Sequence, residues 1–410
     1  GQEYLRTGTD VTITAVGSLV VSADIVTNTN ANLTLQAGAG IAVNGGVKIW
    51  LNSSTGGGTY TKSTGTGSLY MGGTNVTSIN SSNWNATCDN CYALTVSGGA
   101  NGTDYSAINL GTQGAGTAAV DIRVGGNFVA AGKNTISSGS LGVTLFSGSR
   151  LDASNVYIYA IGTVSDAMQL GWGSSTSFDM RATSATGKIF IAGKSDVSEG
   201  VRLIGATLRA PTVEMIGVTL SNKVGIKLGV AAETFYSINL YTNNLKLTAD
   251  NIELNQPKVY VYTCNGQCAA AAGSSFGLNV SSNSTSSDPT FYYFGGSSTA
   301  LPIMTIGAVS NNYGNYLVLP AGTWSEYSYR GSSSINITSD ISIAGPINVI
   351  SNSGSIWFNA NLTSTGSGSA ILLKAAGYIN NEPSKSIRTN NGAITLWADS
   401  DGNNDGWIGL

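Results

Sequence analysis

The chain has 410 residues, a net charge of −3 and only 10% charged residues, and it contains no histidine. Ordinary soluble domains carry about 25% charged residues, and this balance offers no basic surface for nucleic acid. The lack of histidine excludes Ser-His-Asp and Cys-His mechanisms and His-ligated zinc. The sequence contains no run of 18 apolar residues, so it predicts no transmembrane helix.

The dominant pattern is a short run of alternating apolar residues that ends at a small or polar corner and then repeats. A period of two predicts a β-strand with one buried face. Clear examples are Leu33/Leu35 in ANLTLQA, Val156/Ile158 in SNVYIYA, Ile189/Ile191 in GKIFIAG, Leu245/Leu247 in NNLKLTAD and Ile394/Leu396 in GAITLWAD. Such short and numerous strands predict a solenoid, in which each coil buries its apolar face against its neighbours.

Residues 9–50 predict a run of short strands with Gly, Asn or Ala at the corners. Residues 52–91 are polar and rich in glycine, which predicts an excursion from the coil. Regular strands occupy about 92–263 and 301–410, and a second excursion is predicted at 264–300.

A strand core recurs every 5–8 residues in the central segment, and three such units give about 18–24 residues per coil. We therefore predict an all-β chain, a single elongated right-handed parallel β-helix over residues 1–410. About 15–18 coils, stacked roughly 4.8 Å apart, would make a rod on the order of 70–90 Å long.

Three segments repeat short strands and polar corners in the same manner. They are DVTITAVGSLVVSADIVTNTNANLTLQAGAGI, GSIWFNANLTSTGSGSAILLKAAGYI and TNNGAITLWADSDGNNDGWI. This manner of repetition resembles the large repetitive exoproteins of the filamentous-haemagglutinin type. Those proteins are bacterial surface or secreted adhesins built as right-handed β-helices. The resemblance implies an extracellular structural or adhesive role, with a host surface or a glycan as partner, and no enzymatic activity.

The four cysteines form two local pairs, Cys88/Cys91 and Cys264/Cys268, one in each predicted excursion. Two local disulfides that clamp loop tips are the favoured interpretation, and they would place the protein in an oxidising compartment. A four-thiolate zinc site would require the two pairs to meet across the rod, and a redox dithiol would lack its usual context.

Four oxygen-bearing residues occupy every second position near the C-terminus: Asp399, Asp401, Asn403 and Asp405. Calcium loops use this spacing because alternate side chains converge on one hard cation. An EF-hand-like loop needs glycine where Asn404 stands and a bidentate glutamate where Leu410 stands. An Asp/Asn-rich corner between strands is therefore the competing interpretation, and no cofactor other than calcium is predicted.

The first functional hypothesis is an extracellular structural protein, either a β-helical adhesin segment or the subunit of a surface filament. A β-solenoid ends in unpaired strand edges that invite association unless they are capped. No amphipathic cap is evident, so the sequence predicts head-to-tail stacking into a homopolymer. A segment of a longer rod is the alternative.

The second hypothesis is a carbohydrate-active enzyme or a glycan-binding module on the same fold. The candidate carboxylates on the coil faces, among which no pair stands out, are Asp179, Asp196, Glu199, Glu214 and Asp250. Trp50, Trp357 and Trp397 lie within strand patterns, where they are either core residues or outward residues available to sugars.

Overall fold

The structure is a computed structural model, in which 53% of the chain is β-strand. It describes residues 2–52, 65–85, 88, 90–95, 106–112, 119–136, 140–172, 177–219, 224–229, 238–254, 259–262, 264, 268, 277–285, 291–294, 303–309, 326–331, 334–337, 340–351 and 354–410. The strands pair in parallel and stack as in a right-handed parallel β-helix. The predicted all-β solenoid is therefore confirmed.

The N-terminal part begins with a short helix and continues as short strands. The helix is α1 (Gln2–Arg6), and the strands are β1 (Val11–Ala15), β2 (Leu19–Val21), β3 (Ile25–Thr27), β4 (Leu33–Ala37), β5 (Ile41–Val43), β6 (Lys48–Leu51), β7 (Leu69–Gly72), β8 (Ala93–Leu94), β9 (Ile108–Leu110) and β10 (Asp121–Val124). A 3-10 turn, Val76–Ser78, follows β7.

The central part has the longest strands, because the first strand of each coil extends to eight residues or more. Its strands are β11 (Asn127–Asn134), β12 (Val143–Phe146), β13 (Arg150–Ala153), β14 (Asn155–Gly162), β15 (Met168–Trp172), β16 (Phe178–Ala182), β17 (Lys188–Ser195), β18 (Val201–Leu203), β19 (Ala206–Arg209), β20 (Thr212–Thr219), β21 (Ile226–Leu228), β22 (Ile238–Tyr241) and β23 (Asn244–Leu254).

The C-terminal part contains both longer and shorter strands. They are β24 (Val259–Tyr262), β25 (Gly277–Thr285), β26 (Phe291–Phe294), β27 (Ile303–Val309), β28 (Glu326–Gly331), β29 (Ile335–Ile337), β30 (Ile341–Ile343), β31 (Ile347–Ser351), β32 (Ile356–Phe358), β33 (Leu362–Ser367), β34 (Ile371–Ala375), β35 (Ile379–Asn381), β36 (Ile387–Asn390), β37 (Ile394–Trp397) and β38 (Ile408–Gly409).

The strands stack in columns that run along the rod. The first column is β1, β4, β7, β11, β14, β17, β20, β23, β25, β27, β28, β31, β34 and β37. The second column is β2, β5, β9, β12, β15, β18 and β21. The third column is β3, β6, β10, β13, β16, β19, β22, β24 and β26. In the C-terminal coils, β29, β32, β35 and β38 form one further side, and β30, β33 and β36 form the other.

One continuous apolar core fills the inside of the coils. Ile158, Leu170 and Met180 come from the three sides of one central coil, and each is 0% exposed. In register above Ile158 and Leu170 lie Ile191 and Leu203, which are equally buried. Burial of each such side chain contributes about 1.5–3 kcal/mol, so every coil stabilises the next.

Glycines form the corner between the first and second columns, where two stretches of backbone meet. A Cβ atom on Gly193 would lie 2.1 Å from the carbonyl oxygen of Gly200, and one on Gly217 would lie 2.0 Å from that of Gly225. Neither Gly193 nor Gly217 has a positive φ, so the corner requires the absence of a side chain and not a special backbone conformation.

The first column contains fourteen strands, which define fourteen coils in the part of the chain that the structure describes, compared with 15–18 predicted. Most central coils are longer than the predicted 18–24 residues, although the coil from β17 to β20 takes 24. The strands β14 and β17 begin at residues 155 and 188, so that coil takes 33 residues.

Both predicted excursions include strands of the coil. Strand β7 lies within 52–91 and pairs with β4 and β11, while β25 and β26 lie within 264–300 and pair with β23 and β24. The helix α1 was not predicted. It forms beside β3, where Leu5 is 2% exposed and the Thr27 hydroxyl donates to the Leu5 carbonyl at 3.2 Å.

Candidate functional site

A segment that follows β7 leaves the coil and folds over the outer surface of the first column. Its described residues, 73–85, 88 and 90–95, are named the flap. Cys88 and Cys91 form a disulfide within it, with their Cα atoms 5.5 Å apart. The backbone N–H groups of Gly73 and Asn75 donate to the carbonyls of Cys91 and Asn90 at 2.9 and 3.0 Å. These bonds hold the two arms of the flap together at its base.

The outer surface beneath the flap is apolar. Tyr159 and Phe190 point away from the core, yet each is only 1% exposed, and their rings lie 5.7 Å apart. Val76, Ile79 and Trp84 of the flap pack in one cluster with them. The molecule therefore has a second, smaller core outside the coil.

Tyr92 links two parts of the flap. Its hydroxyl donates a hydrogen bond to the carbonyl oxygen of Trp84. Burial raises the pKa of Tyr92 well above its ordinary value, and the nearby Tyr159 raises it further. The hydroxyl is therefore protonated at physiological pH and keeps this bond.

A groove of about 630 Å³ lies between the flap and the coil and is named the flap groove. This volume is in the range of small-molecule sites, about 300–1,000 Å³. Tyr92 contributes to the flap side, and Leu94 lies in β8, where the flap rejoins the sheet in register with Lys133. The coil side includes Lys133, Ile161, Thr163, Lys194 and Asp196.

The stacking of three coils brings the charged groups of the flap groove together. Lys133, Ile161 and Lys194 occupy one outward row, because Lys133 is in register with Ile161 and Ile161 with Lys194. The backbones of the two lysines are therefore two strand spacings apart, roughly 9.6 Å. Asp196 follows β17 and is held by a hydrogen bond from its N–H to the Gly162 carbonyl at 2.8 Å.

A second set of charges covers the outer face of the third column. One row runs from strand to strand through Lys48, Asp121, Arg150 and Asp179. The adjacent row runs through Arg123, Asp152, Arg181 and Arg209. These eight residues are named the charge ladder. Because the sign alternates along most of both rows, most of its charges have opposite neighbours.

Asp152 and Asp179 are the acidic centres of the charge ladder. Asp179 accepts from the guanidinium of Arg181 at 2.5 Å and from that of Arg209 at 3.1 Å. Burial raises the pKa of Asp152, while the hydrogen bond and charge of Arg150 and the charge of Arg181 oppose that rise. The ladder thus consists of partly buried carboxylates, each held between arginines.

We expect Asp179→Asn to lower the free energy of unfolding by about 1–3 kcal/mol, as measured by urea denaturation. The substitution leaves Arg181 and Arg209, which are register neighbours, without their shared negative charge. Glu382→Gln is the matched control, because this carboxylate is exposed and makes no ion pair within the described ranges. An equal loss of stability in both variants would contradict a stabilising role for the ladder.

Three of the five carboxylates that the sequence offered for carbohydrate chemistry are engaged in ion pairs. Asp179 belongs to the charge ladder, Glu199 lies 2.8 Å from Lys227, and Glu214 lies 2.5 Å from Lys188. Asp196 lies in the flap groove. The side chain of the fifth, at position 250, lies outside the described residues.

The C-terminal aspartates converge, as the alternating spacing predicts. One carboxylate oxygen from each of Asp399, Asp401 and Asp405 lies within 4.8 Å of the other two. Asn403 uses its amide inside the turn, donating to Asp401 at 3.2 Å and accepting from the Asp405 N–H at 3.0 Å. Three carboxylates suit a hard cation such as calcium, but these hydrogen bonds also account for the turn, so the calcium site remains a prediction.

The second pair of cysteines, Cys264 and Cys268, is also joined as a disulfide, with Cα atoms 5.0 Å apart. Both residues are buried, and the N–H of Cys264 donates to the side chain of Asn243 at 3.2 Å. All four cysteines are paired locally. This arrangement leaves no thiolate for the four-cysteine zinc interpretation.

The three tryptophans that the strand pattern left undecided lie on the outer face: Trp50, Trp357 and Trp397. Trp50 lies 4.6 Å from the guanidinium of Arg123, and Trp397 lies 4.1 Å from the ammonium of Lys374. The indole N–H of Trp357 donates to the Tyr378 hydroxyl at 3.0 Å. All three rings are thus engaged with neighbouring side chains.

The lysines of the flap groove carry no sequence motif, and sequence reasoning missed them. A usable signal lies in β14, where outward Tyr157, Tyr159 and Ile161 alternate with inward Val156 and Ile158. A strand that is apolar on both faces predicts that its outer face is also covered. That signal predicts a cover over this face, but it does not identify the covering segment or the groove beside it.

Within the described ranges, no helix is long and apolar enough to cross a membrane. Comparison of the chain with protein-family models, with curated proteins and with solved structures finds no match.

Proposed function

We propose that the chain is an extracellular structural rod, a segment of a β-helical adhesin. The observation that carries the proposal is the unbroken first column of fourteen parallel strands. Its length is roughly 60 Å at the usual strand spacing. Because each coil stacks only on its neighbours, adding coils makes the molecule longer and keeps it stiff.

The pairing of surface charges supports a scaffold role. The arginines of the charge ladder face aspartates across and along the strands, and Glu199 and Glu214 are paired with lysines. Charges that are neutralised in pairs contribute little long-range field. Outside the flap groove, these groups stabilise the stacking of coils.

The disulfides support the extracellular part of the proposal. Disulfides form and persist mainly in oxidising environments such as the cell exterior. Both pairs close short loops, with sequence separations of 3 and 4 residues.

Two measurements test the proposal. Electron microscopy of the purified chain should show straight rods of uniform width, and a globular particle would exclude the rod.

Proteinase K added to intact producing cells should remove the signal of an antibody against the chain, while a cytosolic marker stays intact. Protection of the signal until the cells are lysed would exclude surface exposure.

A filament subunit is the second candidate, and the exposed faces of the outermost coils favour it. Ile394 and Ile408 on the last described coil are 46% and 45% exposed, and Ile13 on the first is 39% exposed. Their register partners Ile371, Ile379 and Leu35 are fully buried. A second copy stacked on these coils would bury them, although α1 covers the β3 side of the first coil.

Sedimentation velocity distinguishes a filament subunit from an isolated rod. A filament subunit should form concentration-dependent polymers that Ile394→Lys abolishes. Val197→Lys is the matched control, because Val197 is 46% exposed and lies between β17 and β18, away from both outermost coils. A single species at all concentrations would exclude the filament and leave the rod proposal intact.

A further inference from the structure

The charges of the flap groove differ from those of the charge ladder, which are paired with one another. No ion pair involves Lys133, Lys194 or Asp196 among the residues that the structure describes. The Oδ1 atom of Asp196 is buried and has no hydrogen-bond partner. The structure therefore places three charged groups without an ion pair beside one cavity.

The chemistry of these three side chains indicates which ligand groups would pair with them. Two ammonium groups make their strongest hydrogen bonds to acceptors that carry negative charge, such as a carboxylate. The Asp196 oxygen requires a donor, because an unpaired buried acceptor costs about 1–3 kcal/mol. A ligand that satisfies all three groups must carry both an anionic group and hydroxyl or N–H donors.

The walls of the flap groove add an apolar requirement. The ring of Tyr92 and the side chains of Leu94 and Ile161 line it together with the charged groups. Aromatic and aliphatic walls pack against the C–H face of a ring that is polar at its edge. The cavity of about 630 Å³ has room for such a ring.

We propose that the flap groove binds a carboxylated sugar, either free or as a unit of an acidic glycan. Its carboxylate pairs with Lys133 and Lys194, its hydroxyls donate to Asp196, and its ring packs on Tyr92. This proposal rests on the adhesive role proposed above and names the ligand class for it. An anion without hydroxyl groups satisfies the lysines but leaves Asp196 facing a like charge.

Isothermal titration calorimetry of the whole chain with trigalacturonate tests the proposal. We expect saturable binding that Lys133→Gln and Lys194→Gln each weaken roughly tenfold, because each removes a charge-assisted contact. Asp196→Ala should weaken binding to a similar extent. Lys246→Gln is the matched control, because Lys246 is outward on the same column but lies outside the groove.

Two further ligands complete the design. Galactotriose, which has the hydroxyls without the carboxylates, and triglutamate, which has carboxylates without sugar hydroxyls, should both bind at least tenfold more weakly. Equal affinity for triglutamate, or trigalacturonate binding that is absent or unchanged in the lysine variants, would overturn the proposal. The rod shape is measured by microscopy and does not depend on these binding results. Each of the two proposals can therefore be overturned without the other.

Discussion

Trp84→Ala is expected to release the flap and uncover the apolar outer face of the first column. Trp84 is 3% exposed and packs in the same cluster as Tyr159 and Phe190. Removing a buried tryptophan side chain costs about 3–5 kcal/mol. The flap lies outside the coil, so we expect local opening with the coil intact. Dye binding to exposed apolar surface should rise while the far-ultraviolet circular dichroism stays the same.

The same variant links the flap to the groove. Tyr92 donates to the backbone carbonyl of Trp84, so opening of the flap should move this carbonyl, displace Tyr92 and weaken trigalacturonate binding. Trp397→Ala is the control, since Trp397 is 50% exposed on the outer face. Unchanged dye binding and hydrogen exchange in Trp84→Ala would show that the outer cluster does not hold the flap.

Gly217→Ala is expected to destabilise the coil itself. The new Cβ atom would lie 2.0 Å from the carbonyl oxygen of Gly225 and 2.2 Å from its carbonyl carbon, and both are backbone atoms. To relieve this steric overlap, the first and second columns must move apart at this corner. Overpacking of this kind typically costs about 1–3 kcal/mol, and more where the backbone must shift. Thermal unfolding should move to a clearly lower temperature.

Gly17→Ala is the control for Gly217→Ala. A Cβ atom on Gly17 has no heavy atom within 4 Å, and its φ is not positive. We therefore expect its melting temperature to equal that of the original chain. If Gly217→Ala melts at the same temperature as Gly17→Ala, close backbone packing does not define this corner.

The period-two pattern was sufficient to predict the inward faces of the strands. Ile189 and Ile191 were predicted to share a buried face, and both are 0% exposed. The reason is physical, because a short strand buries every second side chain and each coil repeats the same requirement. The cysteine spacing likewise predicted local pairs, since residues three or four apart readily approach disulfide distance.

The register between coils was not readable from the sequence. Asp121 and Arg150 lie in register, as do Arg150 and Asp179, but segments of different length separate the strands of other coils. A shift of one residue in any coil would place these charges on the opposite face. The charge ladder and the outward positions of Trp50 and Trp397 therefore appear only when the coils are stacked.

By itself, the sequence determined that the chain is a parallel β-solenoid with a continuous apolar core and locally paired cysteines, because these features depend on contacts within a strand, a corner or a short loop. Only the tertiary structure decided that the segment after β7 returns to cover the first column and encloses Lys133, Lys194 and Asp196. Those side chains come from different coils and meet the flap through contacts distant in the chain. Their position depends on how the coils stack, and no local pattern encodes that stacking.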